Sequence, residues 1–140
     1  MYQKEIELPR HLINEILHLA QCSADREICG FIGLDSSKKY HCHPVQNVAK
    51  NPDNNFLMAT EEQISTLKEM RNNNEEIFAV YHSHPTANAT PSTSDIEQSV
   101  YSDAYYLIVS LNTKGVLEMR CYKLLHDENI VEITLQMKER

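Results

Sequence analysis

Tyr81-His82-Ser83-His84-Pro85-Thr86-Ala87-Asn88-Ala89-Thr90-Pro91-Ser92-Thr93-Ser94-Asp95 follows directly on the apolar run Ile77-Phe78-Ala79-Val80. The run reads as a strand over residues 76–82. Side chains two apart on a strand share a face, so His82 and His84 can present both imidazoles to one side. Pro85 has no amide hydrogen and ends the ladder at the sheet's rim. Ser92 and Asp95 stand three apart at a predicted helix start, where their side chains share a face, and a short helix is expected from residue 92 to about residue 99. The intervening loop, residues 83–91, can fold Asp95 back toward the histidines. Two imidazoles and a carboxylate, with the fourth position left to water, make the donor set of a catalytic zinc site rather than a closed structural one. H-x-H alone is weak evidence, and S-x-x-D is also an ordinary helix cap. Their conjunction beside a buried strand points to a metal.

The chain holds its own comparison. His41-Cys42-His43-Pro44 has the same H-x-H-P form, yet Val45-Gln46-Asn47-Val48 offers no carboxylate at helix-start spacing. His41 and His43 therefore read as ordinary residues on a strand face. Hydrolysis also needs a carboxylate beside the metal-bound water to carry a proton. Glu27, at the mouth of Ile28-Cys29-Gly30-Phe31-Ile32-Gly33-Leu34, is the candidate; without the metal motif it would read as a charged strand terminus exposed to water. Glu61, Glu62 and Glu69 are explained by their helix, and Glu97 by the surface of the short helix.

Working outward, residues 3–8 alternate as a short strand, and Pro9 suits the first turn of a helix. Leu12, Ile13, Ile16, Leu17 and Ala20 recur at helical spacing, predicting an amphipathic helix over residues 9–22 with His11 and His18 at its surface. Residues 27–34 read as a strand buried on both faces, residues 35–39 as a turn, and residues 40–48 as its antiparallel partner. An Asn- and Pro-rich loop follows over residues 47–55, then a brief strand at Phe56-Leu57-Met58. Thr60 and Gln63 have the reciprocal capping pattern, opening a helix whose apolar stripe is Ile64, Leu67 and Met70 and which ends at Asn72-Asn73-Asn74. Residues 105–111 are aromatic and β-branched. Asn112-Thr113-Lys114-Gly115 predicts a hairpin turn to residues 116–124. Residues 130–135 read as an edge strand, and Lys138-Glu139-Arg140 as a frayed tail. The expected class is α+β, one mixed, mostly antiparallel sheet flanked by helices, within a single domain over residues 1–140.

With 140 residues, 41% apolar and 24% charged, the chain can bury a core unaided. A formal charge of −7 speaks against nucleic-acid binding. No run approaches the ~20 apolar residues of a membrane helix, and no signal-peptide core follows the N-terminus. Cys22, Cys29, Cys42 and Cys121 form no C-x-x-C pair and read as reduced, small buried hydrophobes, which implies a cytoplasmic setting.

Glu27-Ile28-Cys29-Gly30, His82-Ser83-His84-Pro85 and Ser92-Thr93-Ser94-Asp95, in this order and spacing, resemble the JAMM (MPN-plus, Mov34/PAD-1) zinc metalloproteases of the short prokaryotic type. The resemblance runs from the first helix to the hairpin around Gly115. It implies a cytidine-deaminase-like fold with one Zn²⁺ per chain held by His82, His84 and Asp95, a catalytic water completing the set. It implies that Glu27 is the general acid/base and that Ser92 supports the oxyanion, with a pure capping role as the alternative for Ser92. The implied reaction is hydrolysis of a peptide or isopeptide bond at the C-terminal tail of a ubiquitin-like protein, of the sulfur-carrier type. The segment between Glu27 and His82 is lean for recognition of polyubiquitin, and Asp25 stands where many short members have proline. Alternatives are a non-catalytic MPN-type scaffold and a zinc peptidase of small peptides. A zinc deaminase would need H-x-E with P-C-x-x-C, which this chain lacks.

Overall fold

Strand after strand in this chain alternates between two apolar faces, and the sheet separates them into two cores. The structure, a computed structural model, describes residues 2–101, 103–112, 118–125 and 129–139. The strands are β1 (Glu5–Pro9), β2 (Cys29–Leu34), β3 (Tyr40–Val45), β4 (Glu76–His84), β5 (Tyr105–Ser110), β6 (Glu118–Leu124) and β7 (Ile130–Lys138), and the helices are α1 (Arg10–Cys22), α2 (Thr60–Asn72) and α3 (Thr93–Glu97). They form one seven-stranded sheet in the order β1-β7-β6-β5-β4-β2-β3. The pairs β1–β7 and β4–β5 are parallel and the rest antiparallel, the mixed, mostly antiparallel sheet expected.

One face carries Ile32, Ala79, Tyr81, Leu107, Val109 and Cys121, sealed by Leu12, Ile13, Ile16 and Ala20 of α1. Helix α1 touches both β1 and β3, the two outermost strands, so the sheet curls around it. The other face carries Phe31, Val80, Tyr106, Ile108 and Tyr122, covered by Met70 of α2 and by Met58 and Ala89 from the loops. Period-two alternation along β4 places His82 on this second face, beyond Val80.

Several local expectations give way to tertiary structure. Strand β7 is no edge strand, because β1 pairs with it in parallel from Glu5↔Thr134 to Pro9↔Lys138. Nor does its end fray at once: Lys138 closes the strand and Glu139 makes a 2.8 Å ion pair with Arg10, while Arg140 lies outside the described residues. Helix α2 is capped by Ala59, not Thr60, with no side-chain cap. The Ala59 amide donates to the Gln46 carbonyl, which holds Ala59 extended, and Gln63 is diverted to the Tyr101 hydroxyl. Ile64 is 61% exposed, and Thr66 takes the buried position beside Met70. The brief strand at residues 56–58 is a single bridge, Asn47↔Met58. Strand β4 runs two residues past the expected end because β5 keeps pairing through His84↔Ser110. Of the predicted hairpin turn, Thr113, Lys114 and Gly115 lie outside the described residues.

Gly30 sits where β2 meets both neighbours, paired with Tyr81 and Pro44. A β-carbon there would run into the His43 carbonyl and the Tyr81 hydroxyl. Gly30→Ala is therefore expected to cost about 1–3 kcal/mol of stability, read as a lower urea midpoint at an unchanged m-value.

Candidate metal centre

Strand β4 ends with His82 and His84 buried, and α3 begins with Asp95 buried. Ser92 is the N-cap of α3: its Oγ accepts from the Asp95 amide at 3.1 Å, and its own amide donates to Asp95 Oδ2 at 2.9 Å. This capping box aims the carboxylate back at the strand. Asp95 Oδ2 lies 3.0 Å from His82 Nε2 and 3.1 Å from His84 Nε2, and those two nitrogens are 3.1 Å apart. Glu27, just ahead of β2, is 4% exposed and joins the group. Ligand atoms of Glu27, His82, His84 and Asp95 all lie within 4.8 Å of one another.

Glu27 reaches the histidines because Cys29 is paired with His82 across the β2–β4 ladder. Ser83, between the two histidines, locks that junction: its Oγ accepts from the Ile28 amide at 2.9 Å and its amide donates to the Ile28 carbonyl at 3.1 Å. Glu27, the candidate proton carrier, is thus a buried carboxyl inside the cluster and not the water-exposed strand terminus it would be without the metal motif.

The protonation of this group is constrained. His84 Nδ1 is 2.6 Å from the Asn88 carbonyl and must carry hydrogen to donate there. Its Nε2 then either is protonated too, charging the ring, or turns a lone pair toward Asp95 Oδ2 and His82 Nε2. In the second arrangement the three atoms are held together by a hydrogen on His82 Nε2 or by a cation. Their separations match the roughly 3.3 Å edges of a tetrahedron with ~2.0–2.1 Å bonds. Beside them, Glu27 Oε1 is buried with no hydrogen-bond partner, as is His82 Nδ1. Such orphans are rare in native interiors. The donor set and the unpartnered carboxylate oxygen fit a metal with three protein ligands and a water next to Glu27.

Electrostatics divides the two carboxyls. Burial pushes Glu27 up to about 8, Asp95 and Asp53 pushing the same way and His84 opposing. Burial would raise Asp95 as well, but hydrogen bonds from His82 and His84 outweigh it and hold the carboxyl below its ordinary value. Burial lowers His82 despite Asp95. At His84 burial is outweighed by Asp95, the Asn88 carbonyl and Glu27, and the net shift is upward. Two carboxyls shifted in opposite directions are the pattern of a site with separate ligand and proton-carrying roles.

A cleft of about 360 Å³ opens beside His82 and Asp95, lined by Phe56, Leu57, Met58, Val100 and Tyr101 among others. Phe56 stacks on the His82 ring at 4.6 Å between centroids and 27° between planes.

Residues 9–122 match the family described as prokaryotic homologs of the JAB domain. The chain belongs to that family. It has the JAB1/MPN fold that its motifs imply. A desampylase of Haloferax volcanii is 34% identical over 86 residues, 60% of this chain and 62% of that protein, so the chain spans about three fifths of that relative's length. A CysO-cysteine peptidase of Mycobacterium tuberculosis is 28% identical over 115 residues, 81% of this chain and 78% of that protein. The crystal structure of a JAB1/MPN domain protein from Archaeoglobus fulgidus superimposes with a TM-score of 0.60 at 17% identity, covering 94% of this chain and 99% of that one.

In this JAB-domain chain the second H-x-H-P behaves as a control. His41 and His43 each have a private carboxylate, Asp35 at 2.8 Å and Glu75 at 2.7 Å, and their ring centroids stand 6.5 Å apart against 4.9 Å for His82 and His84. No shared carboxylate draws them together. Sequence reasoning missed Phe56 and Ser83, whose contributions are a ring contact and main-chain bonds that leave no spacing pattern.

The Glu27 shift carries a sign. A carboxyl whose pKa rises on folding, from about 4.5 to about 8, keeps its proton in the folded chain after the unfolded chain has lost it. In the metal-free protein, thermal stability is therefore expected to fall as pH rises between those values. Glu27→Gln should flatten that slope, as followed by melting temperature in the presence of a chelator.

Proposed function

We propose that this chain acts as a single JAMM-type zinc metallopeptidase domain that cleaves a peptide or isopeptide bond at the C-terminal tail of a ubiquitin-like protein of the sulfur-carrier type. The observation that carries the proposal is the convergence of His82, His84 and Asp95 beside a buried, unpartnered Glu27 oxygen. The kinship with a desampylase and a CysO-cysteine peptidase supports that substrate class. Four unpaired cysteines accord with a cytoplasmic setting.

His82 Nε2, His84 Nε2 and Asp95 Oδ2 would hold one Zn²⁺. Bound there, zinc acts as a Lewis acid that brings the pKa of a ligated water toward ~7 and polarises the scissile carbonyl. The protein's own part is orientation and proton transfer. Asn88 fixes the His84 tautomer through Nδ1, leaving Nε2 to face inward. Glu27, ionised once the charge of a bound metal offsets the burial that otherwise keeps its proton, would accept a proton at Oε1 from the attacking water and return it to the departing amine. Ser92 Oγ accepts from the Asp95 amide, which leaves its hydroxyl hydrogen to donate to the developing oxyanion. Capping and oxyanion support are compatible on this one hydroxyl. The apolar cleft beside His82 shelters the reacting groups from bulk water.

The proposal is tested by incubating zinc-loaded protein with carrier proteins that bear C-terminal extensions and weighing the products by mass spectrometry. Cleavage at the carrier's tail is the expected result; cleavage of short peptides alone would move the reading to a small-peptide zinc peptidase. Glu27→Gln should lower kcat by about 10²–10⁴-fold while zinc content stays at one per chain. Processing undiminished by Glu27→Gln would leave the chain a scaffold and not an enzyme. His84→Ala should lose zinc and activity together, yet keep its far-ultraviolet circular dichroism, since both cores form without the site.

A further inference from the structure

Glu27 lies outside the β-ladder, for β2 begins only at Cys29. Its main chain is held instead by the loop of residues 47–58. The Glu27 amide donates to the Pro52 carbonyl at 2.6 Å, and the Glu27 carbonyl accepts from Asn47 Nδ2 at 2.9 Å. Asn47 is 5% exposed, and its side-chain amide is saturated. Nδ2 also donates to the Asn55 carbonyl at 3.0 Å, while Oδ1 accepts from the amides of Ala49 at 2.9 Å and Leu57 at 3.0 Å. The Asn47 carbonyl in turn accepts from Arg26 Nη2 at 2.8 Å.

The same loop reaches the other parts of the site. Asn55 Oδ1 accepts from Ser94 Oγ at 2.7 Å, one residue before Asp95, and Phe56 stacks on His82. One short loop thus touches the segment carrying each member of the cluster, and Asn47 ties its two ends together.

We propose that Asn47 is a positioning residue for hydrolysis: by clamping the Glu27 main chain to the loop that also braces His82 and α3, it sets where the Glu27 carboxyl stands relative to the metal ligands. This rests on the reading of Glu27 as the proton carrier. Asn47 itself touches neither the substrate nor the reacting atoms. Its two donated bonds serve Glu27 and Asn55, and its two accepted bonds fold the loop. The two halves can be separated by substitution. Asn47→Asp keeps the size and the acceptors for Ala49 and Leu57, and sets oxygen against oxygen at the Glu27 and Asn55 carbonyls.

The test combines kinetics with amide exchange. Asn47→Asp is expected to lower kcat by about 10- to 100-fold, with KM changed by less than about threefold and zinc still one per chain. In a Glu27→Gln background the same substitution should cost almost nothing further, because a residue that acts through Glu27 has nothing left to position. Asn47→Ala, which buries no charge, serves as the second variant and should show the same non-additivity. A full additional loss in the Glu27→Gln background, or a fall in activity that only tracks lost zinc, would overturn the proposal. Hydrogen exchange on the unaltered protein tests the brace without any catalysis. The amides of Glu27, Ala49 and Leu57 are expected to open together, at matching rates, and independent rates would overturn the clamp. If the protein cleaves no carrier or peptide while these amides still open together, the functional reading has failed and the clamp has not.

Discussion

The antiparallel register of β2 on β4 is the constraint on which the site depends. With Cys29 opposite His82, the residues just ahead of β2 arrive beside the end of β4, and Ser83 seals the junction by bonding both main-chain groups of Ile28. A slip of one residue would turn His82 to the face that α1 covers and bring Tyr81 out of that core. The two cores guard against the slip, because each strand of the central sheet must satisfy both. The geometry of the cluster is thereby a by-product of packing: the same alternation that sorts apolar side chains also aims the imidazoles.

The polar cluster itself departs from the rules the rest of the molecule obeys. Asp95 Oδ2 collects three partners, while Glu27 Oε1, a few ångströms away, has none. A buried polar atom without a partner costs about 1–3 kcal/mol, and the well-packed sheet around it carries that strain. Two imidazole nitrogens crowded on one carboxylate oxygen, beside a buried carboxyl oxygen with no partner, form a donor set that a metal ion would fit. The private carboxylates of His41 and His43 show the contrast, since there each imidazole is matched one to one and nothing is left over.

Legibility in the sequence followed the range of the interaction. His82 and His84 were readable from strand periodicity, and Ser92 with Asp95 from the capping pattern, since each is a local relation between neighbours in the chain. Glu27 was readable only as a partner that chemistry required; its burial depends on a ladder formed with residues more than fifty positions away. Asn47 and Phe56 gave no signal at all. An asparagine in an Asn-rich loop is what any loop contains, and only the folded geometry turns its amide into a four-bond hub. The same distinction explains the displaced cap of α2, where a main-chain bond from Ala59 to Gln46 overrode a sound local motif, and the misplacement of β7, whose second neighbour comes from the opposite end of the chain.

That last pairing bears on how the protein is made. During synthesis β1 emerges before the other described strands, and β7, its one sheet neighbour among the described residues, emerges after them. Helix α1, which follows β1, can pack earlier on β3 and the central strands, and only its contact with β7 waits. Everything that forms the metal centre, from Glu27 to Asp95, lies between these two ends and can associate earlier. The nascent chain would then hold these residues inside an open sheet, with Ile6 and Leu8 of β1 still short of their partner strand. Such a species would expose apolar surface, and pairing of β1 with β7, the contact between strands farthest apart in the chain, would be slow relative to formation of the polar cluster.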